Sequence, residues 1–240
     1  MRTSSIAFVA AVLTCAGAAP LAAQGLVELP EHPKRQVLLG GGVTLAVPTG
    51  EFGNFVDLGG GVHGFGVFNF DKTGTVGIRL DGSALWYGSE TVRVPLSPYT
   101  GRVLVDITTE NLITSLGAGP QLTLGNGPIR PYVYGLVGFS YFATVSRASG
   151  SADVYDFAST TNFDDVTFSA TAGAGFMIQV SRGRTPVWID VSGFAVQNGR
   201  TRYLREGSIF EQSDGSLLIT PIESETNMLA FRIGVTAGVF

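Results

Sequence analysis

The sequence predicts an all-β protein, an eight-stranded antiparallel up-and-down transmembrane β-barrel. Three observations indicate this fold: eight segments alternate apolar with small or polar residues, short and long connections follow one another in turn, and the few charges inside the segments share one face. Alternation with period two is typical of strands that have two different faces. Each segment also has the ~9 to 11 residues, or slightly more, that a tilted strand needs to cross a bilayer.

The eight predicted strands begin after a short N-terminal region. Their bounds are 37–47, 58–70, 75–87, 112–124, 131–142, 166–180, 187–197 and 229–239. No stretch beyond the N-terminal region approaches the ~20 consecutive apolar residues of a membrane-spanning helix. The alternating segments are therefore the candidate membrane-crossing elements.

The connections between these strands are of two kinds. The short ones are "DKTG", "GNGPIR" and "SRGRTP", and the long ones are "TGEFGNFVD" and the links 88–111, 143–165 and 198–228. Because the two kinds alternate, all short turns lie on the side of both termini, as in an outer-membrane barrel with short periplasmic turns and long extracellular loops. The long links hold fourteen Asp and Glu against six Lys and Arg, which predicts an acidic exterior.

The N-terminal region is typical of an exported protein. Residues 1–23 combine one basic residue, an apolar core and a run of small residues, which predicts a signal peptide. Cys15, the single cysteine, lies inside it, and the bulk of the preceding Thr14 disfavours the alternative of a lipoprotein signal. We expect residues 24–36 to form a periplasmic tail and residues 37–240 to form the barrel.

Composition excludes several other classes of protein. With 14% charged residues, 33 Gly and a mean hydropathy of +0.29, the chain is too apolar for disorder and poor in charge for a soluble domain. A net charge of -4 and scattered basic residues argue against a nucleic-acid partner. A soluble lipocalin-like barrel is disfavoured as well, because the more polar face carries only four charges across eight strands.

Four charged residues within the predicted strands define the lumen. They are Arg79, Asp81, Asp190 and Arg232, all on the face opposite the apolar one. Turning Arg79 toward lipid would cost ~2 to 4 kcal/mol at the bilayer midplane. Since side chains fill an eight-stranded barrel, we predict a charge network that plugs the lumen, with Arg232 paired to Asp81 or Asp190. A gate or a path for protons or ions is the alternative.

Several apolar residues fall on the predicted lumen face. They are Phe65, Val67, Tyr132, Tyr134 and Trp188. Either a β-bulge changes their direction, or the lumen is packed at these positions.

The sequence resembles the small outer-membrane barrels of the OmpA-like and OmpX-like family. The resemblance rests on "GGGVTLAVPTGEFGNF", on "LGAGPQLTLGNGPIRPYVYGLVGFSYF" and on the last strand. In that family the last strand is similar to a signal read by the barrel-assembly machinery. The matching positions here are Arg232, Gly234, Ala237 and Val239, with Phe240 one place beyond. The resemblance implies a monomer in outer-membrane lipid, without a cofactor, that has a structural or surface-interaction role.

Two other functions stay open at this point. A transport barrel resembling the OmpW family would pass or bind small hydrophobic molecules in a dry apolar pocket, which Leu38, Phe65, Val67 and Met177 could line. A lipid-modifying enzyme resembling lipid A deacylases would use a His-x-Ser pair. His63 is followed two places on by Phe65, so the nucleophile is missing, and we predict a lumen histidine in a protein that is not an enzyme.

The third long link is rich in carboxylates. Asp153, Asp156, Asp164 and Asp165 are weak candidates for a divalent metal site, and a solvated acidic loop is the simpler interpretation. Links 88–111 and 198–228 contain further alternating stretches. We expect them to extend their hairpins beyond the membrane, where exposed strands can bind a surface partner.

Overall fold

The structure, a computed structural model, describes most of the barrel region. The described residues are 37–71, 73–95, 104–125, 127–150, 156–182, 185–204, 209–211 and 217–239. The predicted signal peptide and the tail up to residue 36 lie outside them.

Eight long strands make the barrel, and four short strands belong to the last long link. The barrel strands are β1 (Val37–Pro48), β2 (Gly59–Asn69), β3 (Val76–Pro95), β4 (Leu104–Thr123), β5 (Ile129–Gly150), β6 (Asp156–Ser181), β7 (Val187–Asn198) and β12 (Met228–Gly238). The short strands are β8 (Arg200–Tyr203), β9 (Ile209–Glu211), β10 (Leu217–Ile219) and β11 (Ile222–Glu225). A 3-10 turn, Phe52–Asn54, lies between β1 and β2.

The barrel is closed and every neighbouring pair is antiparallel. The order around it is β1-β12-β7-β6-β5-β4-β3-β2. β12 pairs with β1 from Met228 opposite Pro48 to Gly238 opposite Leu38, so the last described strand leaves no edge in the wall. The predicted fold class is thus confirmed. Among the described residues, no helix has the length and apolarity needed to cross a bilayer.

Four adjacent strands are longer than predicted. β3, β4, β5 and β6 contain 20, 20, 22 and 26 residues, whereas the other barrel strands contain 11 or 12. Outside the membrane both faces of a strand meet water, so the contrast between apolar and polar positions disappears. The predicted extension of the hairpin in link 88–111 is confirmed. The prediction of an acidic loop over 143–165 is wrong, because β5 and β6 stay paired through most of it.

The last long link folds into short ladders. β8 pairs with β11 from Arg200 opposite Glu225 to Tyr203 opposite Ile222, and β9 pairs with β10. The first of these ladders continues the β7–β12 hairpin beyond Asn198, as predicted for this link.

The outer face of the barrel wall is apolar and the lumen face carries the charged residues, as the sequence predicts. Leu80, Val137, Phe168 and Ile233 are among the large apolar side chains exposed on the outer face. Phe65 and Val67 are buried in the lumen, and the ladders of β2 to both neighbours run without a register shift. The lumen is therefore packed at these positions.

A polar turn joins β2 to β3 at the end of the barrel that holds the short connections. Asp71 accepts hydrogen bonds from the amides of Val76 and Thr75 at 2.9 and 2.8 Å, and from the hydroxyl of Thr73. The bonds from the Val76 and Thr75 amides lower the pKa of Asp71. Gly74 completes the turn with a φ of +65°, which favours glycine.

Candidate functional site in the lumen

A carboxylate shared by two arginines occupies the middle of the lumen. Arg79 Nε and Nη2 lie 2.9 and 2.8 Å from Asp81 Oδ2, and Arg232 Nη1 lies 2.8 Å from the same oxygen. Arg79 Nη1 also donates to Gln121 Oε1 at 3.0 Å. Because Asp81 is on β3 and Arg232 is on β12, the Asp81–Arg232 ion pair crosses the lumen between two strands that are not neighbours, whereas Arg79 and Asp81 are on the same strand.

Aromatic rings hold both guanidinium groups. Arg79 Cζ lies 3.6 Å from the ring centroid of Phe65 and 4.6 Å from that of Tyr134, while Arg232 Cζ lies 4.3 Å from that of Phe194. Such contacts stabilise a cation most when it is desolvated. The aromatic residues on the predicted lumen face therefore pack against the lumen arginines.

Of the two partners predicted for Arg232, Asp81 is the one it binds, and Asp190 binds a tyrosine instead. Asp190 Oδ1 accepts a hydrogen bond of 2.8 Å from the hydroxyl of Tyr132, and no ion pair joins it to an arginine within the described part of the chain. Tyr132 and Tyr134 lie over Gly175 and Gly173. A Cβ added at either glycine would come within 2.6 Å of the tyrosine above it, so these two positions need glycine.

His63 is buried in the lumen wall. Its Nδ1 lies 3.0 Å from Thr44 Oγ1, and its ring is parallel to that of Phe65, with an interplanar angle of 5°. Ser83 is directly opposite on β3. No hydrogen bond joins Ser83 to His63 in the described residues, whereas the nucleophile and base of a serine hydrolase are hydrogen-bonded to each other.

An aromatic cluster closes the end of the lumen at which the long links lie. We call Phe52, Tyr87, Phe142 and Tyr203 the outer cap. The Phe52 ring centroid lies 5.8, 6.4 and 5.2 Å from those of the other three rings. Phe52 comes from the first link and Tyr203 from β8, neither of which was predicted as part of the site.

Arg130 lies at the end of the lumen where the short turns are. Its Nη2 donates to the carbonyl of Gly74 at 3.1 Å, and its Cζ lies 6.0 Å from the ring of Trp188. Arg130 is not among the predicted lumen residues, because the predicted strand begins at residue 131. Alternation with Tyr132 and Tyr134 is the signal that places it on the lumen face.

A small cavity separates the lumen charges from the outer cap. Its volume is about 30 Å³. The charged and hydroxyl-bearing residues that line it are Asp81, Arg232, Ser83, Ser115, Ser169 and Thr171. None of the four residues suggested for an apolar transport pocket lines it. Those residues, Leu38, Phe65, Val67 and Met177, belong to the packed core.

Of the four acidic candidates for a metal site, three lie on β6 rather than in a loop: Asp156, Asp164 and Asp165. Asp165 Oδ2 accepts hydrogen bonds from the Thr201 hydroxyl and the Arg202 amide at 3.0 and 2.8 Å. Burial alone would raise the pKa of Asp165, but these bonds hold it below its usual range. No group of three or more His, Cys, Asp or Glu suited to a metal occurs among the described residues. Asp156 begins β6, and Asp153 lies outside the described residues.

The residues of the assembly signal are on β12, apart from its last two positions. Arg232 belongs to the lumen network, and Gly234 packs so closely on β1 that an added Cβ would lie 2.3 Å from the carbonyl oxygen of Gly41. Ala237 pairs with Leu39, and the Val239 amide donates to the carbonyl of Val37 at 3.0 Å. Phe240 lies outside the described residues.

The closed sheet, the apolar outer face and the charged lumen together define a β-barrel of the bacterial outer membrane. The chain belongs to the family described as outer membrane protein beta-barrel domain, which matches residues 8–202. The match leaves β12 outside the family's span, although β12 closes the barrel.

Solved structures resemble the chain in fold. Neisserial surface protein A (NspA) is similar with a TM-score of 0.50 and 10% identity over 87% of this chain and 100% of that one. Ail, the attachment invasion locus protein of Yersinia pestis, has a TM-score of 0.42 and 14% identity over 85% and 98%. No match was found among curated proteins.

Proposed function

We propose that this outer-membrane protein is a plugged barrel that anchors a rigid β-sheet on the cell surface for contact with other molecules, and that it is not an enzyme. The observation that carries the proposal is the extension of β3, β4, β5 and β6 far beyond the ends of the other barrel strands. At ~3.3 Å per residue, the eight residues of β3 from Gly88 onward add about 25 Å to the wall.

Three barriers in series support a lumen that does not conduct. They are the outer cap, the Arg79–Asp81–Arg232 network and Arg130 with Trp188 at the periplasmic end. The cavity between the first two barriers has room for only a few atoms. Passage of hydrophobic molecules through this barrel would require its packed core to rearrange.

The extended sheet is held by polar contacts on its exposed face. Arg93 binds Asp106 through two hydrogen bonds of 2.7 and 3.0 Å, and Arg147 Nη1 lies 2.6 Å from Glu110 Oε2. β2 pairs with β3 only as far as Trp86. Above that residue, no described strand pairs with the outer edge of β3, and such an edge can accept an extended peptide as a further strand.

Outer-membrane lipid is the environment of the apolar outer face. The C-terminal strand is the segment through which we propose that the barrel-assembly machinery acts, by the resemblance to related barrels. A monomer is proposed as well, because the closed ladder needs no second chain. The surface partner is proposed to be a protein that contacts the extended sheet.

A first experiment tests the plug. The purified barrel, inserted into planar bilayers, should give no stable single-channel steps. The triple variant with Phe52→Ala, Asp81→Ala and Arg130→Ala, which weakens all three barriers, should give small ones. Stable steps from the unchanged protein would contradict the plugged lumen, whatever the surface binding.

A second experiment tests the surface role. The hairpin from residue 90 to residue 109 is replaced by a two-residue turn, and binding of intact cells to immobilised host or bacterial surface proteins is measured. We expect binding to fall at unchanged outer-membrane abundance and unchanged heat-modifiable migration. A matched control carries Arg93→Gln, which keeps the hairpin. Equal binding by all three proteins would contradict the role of the sheet.

A further inference from the structure

One side of β3 has no neighbour above the barrel. β2 pairs with β3 as far as Gly60 opposite Trp86, whereas the pairing of β3 with β4 continues from Gly88 to Pro95. No strand among the described residues pairs with the other side of this upper segment. We call that side of residues 88–95 the β3 edge. It presents a row of backbone N–H and C=O groups without a ladder partner.

Hydrogen bonds at the lower end of β3 show which residues point to which neighbour. The backbone groups of successive residues in an antiparallel strand point alternately to its two sides. On the side of β2, the amide of Phe70 donates to the carbonyl of Val76 at 2.9 Å. On the side of β4, the amide of Thr123 donates to the carbonyl of Thr75 at 2.8 Å. In the lower part of β3, even-numbered residues therefore bond to β2 and odd-numbered residues bond to β4.

A β-bulge exchanges these two sets above Trp86. The ladder between β3 and β4 passes from the pair Trp86–Leu112 to the pair Gly88–Asn111. Tyr87 is thus an extra residue in β3. Beyond it, even-numbered residues bond to β4 and odd-numbered residues point to the β3 edge. The residues with an N–H and a C=O that point there are Ser89, Thr91 and Arg93.

Two exposed side chains decide which strand fits beside this edge. In an antiparallel pair, residues that exchange hydrogen bonds have Cα atoms about 5.5 Å apart, and the residues between them are closer, at about 4.5 Å. A strand that bonds to the three edge-pointing residues therefore brings its nearest side chains to Glu90 and Val92. Glu90 is exposed, and the Val92 side chain is 48% exposed.

Glu90 lacks a partner of opposite charge. In the described part of the chain, no ion pair or hydrogen bond engages its carboxylate. Arg93 is on the opposite face of β3, where it binds Asp106 through two hydrogen bonds. Opposite charges in a cross-strand pair are stabilising. A basic residue opposite Glu90 and an apolar residue opposite Val92 therefore complement the edge.

A second copy of this chain cannot supply that basic residue from its own β3 edge. Arg93 is the single basic residue in the sequence of segment 88–95, and its backbone points to the edge. When two such edges pair antiparallel, edge-pointing residues are opposite one another, so Arg93 is never opposite Glu90. The long links hold fourteen Asp and Glu against six Lys and Arg, and such an exterior attracts a basic partner.

We propose that the β3 edge binds an extended segment of another protein in which an apolar residue is followed two places later by lysine or arginine. The segment runs antiparallel to β3, with the apolar residue opposite Val92 and the basic residue opposite Glu90. Backbone hydrogen bonds hold the segment, and the two side-chain pairs select it. This partner class rests on the surface role proposed above for the extended sheet.

A proline substitution tests the backbone contacts. Thr91→Pro removes an N–H that points to the edge and leaves the bonds between β3 and β4 in place. Thr91→Val is the matched control, because it keeps the N–H and loses only the hydroxyl that contacts Thr108. The full-length proteins in lipid nanodiscs are passed over an immobilised peptide that contains Thr-Val-Thr-Lys-Thr, and surface plasmon resonance measures binding. Thr91→Pro should bind about tenfold more weakly than Thr91→Val, and equal binding by the two variants overturns the proposal.

A charge reversal tests the selection. A second peptide has glutamate in place of lysine, and the unchanged protein should bind it about threefold more weakly. Glu90→Lys should reverse this preference. Asp164→Lys, which reverses an exposed carboxylate on β6 of the same sheet, is the control and should keep it. The proposal is wrong if the unchanged protein has no preference, or if both variants lose it alike, as general electrostatic attraction would require.

Two further results distinguish this partner from other occupants and from the surface role itself. Clustering of lipid vesicles that carry the barrel without peptide, if Thr91→Pro abolishes it, would place a second copy at the edge and overturn the proposal. The cell-binding assay with the hairpin of residues 90–109 replaced gives the other result. If that replacement lowers binding while Thr91→Pro and Glu90→Lys do not, the β3 edge is not the site, although the surface role stands.

Discussion

The barrel has two halves that share one lumen and differ outside the membrane. β3 to β6 continue as a four-stranded sheet, which is stabilised by cross-strand pairs such as Thr91 with Thr108 and by the exposed Arg93–Asp106 ion pair. β1, β2, β7 and β12 end near the mouth, where the 3-10 turn and the β8–β11 ladder cover the lumen instead. The same hairpin topology thus produces an exposed sheet on one side and a cap on the other.

The difference shows where each half obtains its stability. In the long half, the extension depends on a regular ladder and exposed charges, which contribute little individually. In the short half, the covering segments depend on buried aromatic contacts, with Phe52 and Tyr203 each 1% exposed. The two halves are joined inside the lumen by the Asp81–Arg232 ion pair.

The largest loss of stability is expected from breaking the Asp81–Arg232 contact, where the two halves meet in the lumen. Asp81→Ala leaves two buried guanidinium groups without their shared carboxylate, and breaking a buried pair costs ~3 to 5 kcal/mol. Urea unfolding in lipid vesicles, followed by tryptophan fluorescence, measures this loss. Asp106→Ala, which breaks the exposed pair of the long half, is the control and should lower stability far less. Equal losses would show that the lumen network does not join the halves.

The next largest loss of stability should be confined to the short half of the barrel. Phe52→Ala removes the central ring of the outer cap, and such a truncation costs about 3 kcal/mol. Hydrogen exchange should show faster opening of β8 and β11 while the amides of β3 to β6 stay protected. The control is Phe55→Ala, because that ring is 37% exposed. If the amides of β3 to β6 lost protection to the same degree, the prediction that the short half opens without the extended sheet would be wrong.

A smaller loss of stability should distinguish substitutions of two lumen tyrosines on β5, Tyr132 and Tyr134. Tyr132→Phe removes the hydrogen bond to Asp190 on β7, which leaves a buried carboxylate oxygen unpaired at a cost of about 2 kcal/mol. Tyr134→Phe is the matched control, since the Tyr134 hydroxyl has no hydrogen-bond partner among the described residues. The urea midpoint of Tyr132→Phe should therefore be lower than that of Tyr134→Phe. A lower midpoint for Tyr134→Phe would show that the Tyr132–Asp190 hydrogen bond does not help to join the two halves.

The smallest effect is a pH response limited to the extended sheet. The hydrogen bond from Arg93, together with its charge, lowers the pKa of Asp106. A lowered carboxyl pKa contributes stability above the unfolded value, and this contribution is lost as the pH falls through the folded value. The protection factors of amides near Asp106, which compare each exchange rate with the intrinsic rate at the same pH, should therefore fall below about pH 4, and Asp106→Asn should abolish the response. A response of equal size in β1 or β12 would contradict its restriction to the long half.

The sequence predicted the fold and the lumen charges because both follow from period two and from the cost of charge in lipid. Arg79, Asp81, Asp190 and Arg232 are all buried in the lumen. The outer cap could not be predicted in the same way. Phe52 and Tyr203 are on links without sustained alternation, and they meet only because the 3-10 turn and β8 cover the same mouth.

What the sequence determined by itself is the direction of each side chain along a strand, since alternation depends only on neighbours in the chain. What the tertiary structure decided is which lumen residues meet. Arg232 binds Asp81 and not Asp190 because the register of eight strands sets the heights of the residues across the barrel. That register is a property of the closed sheet, and no single strand contains it.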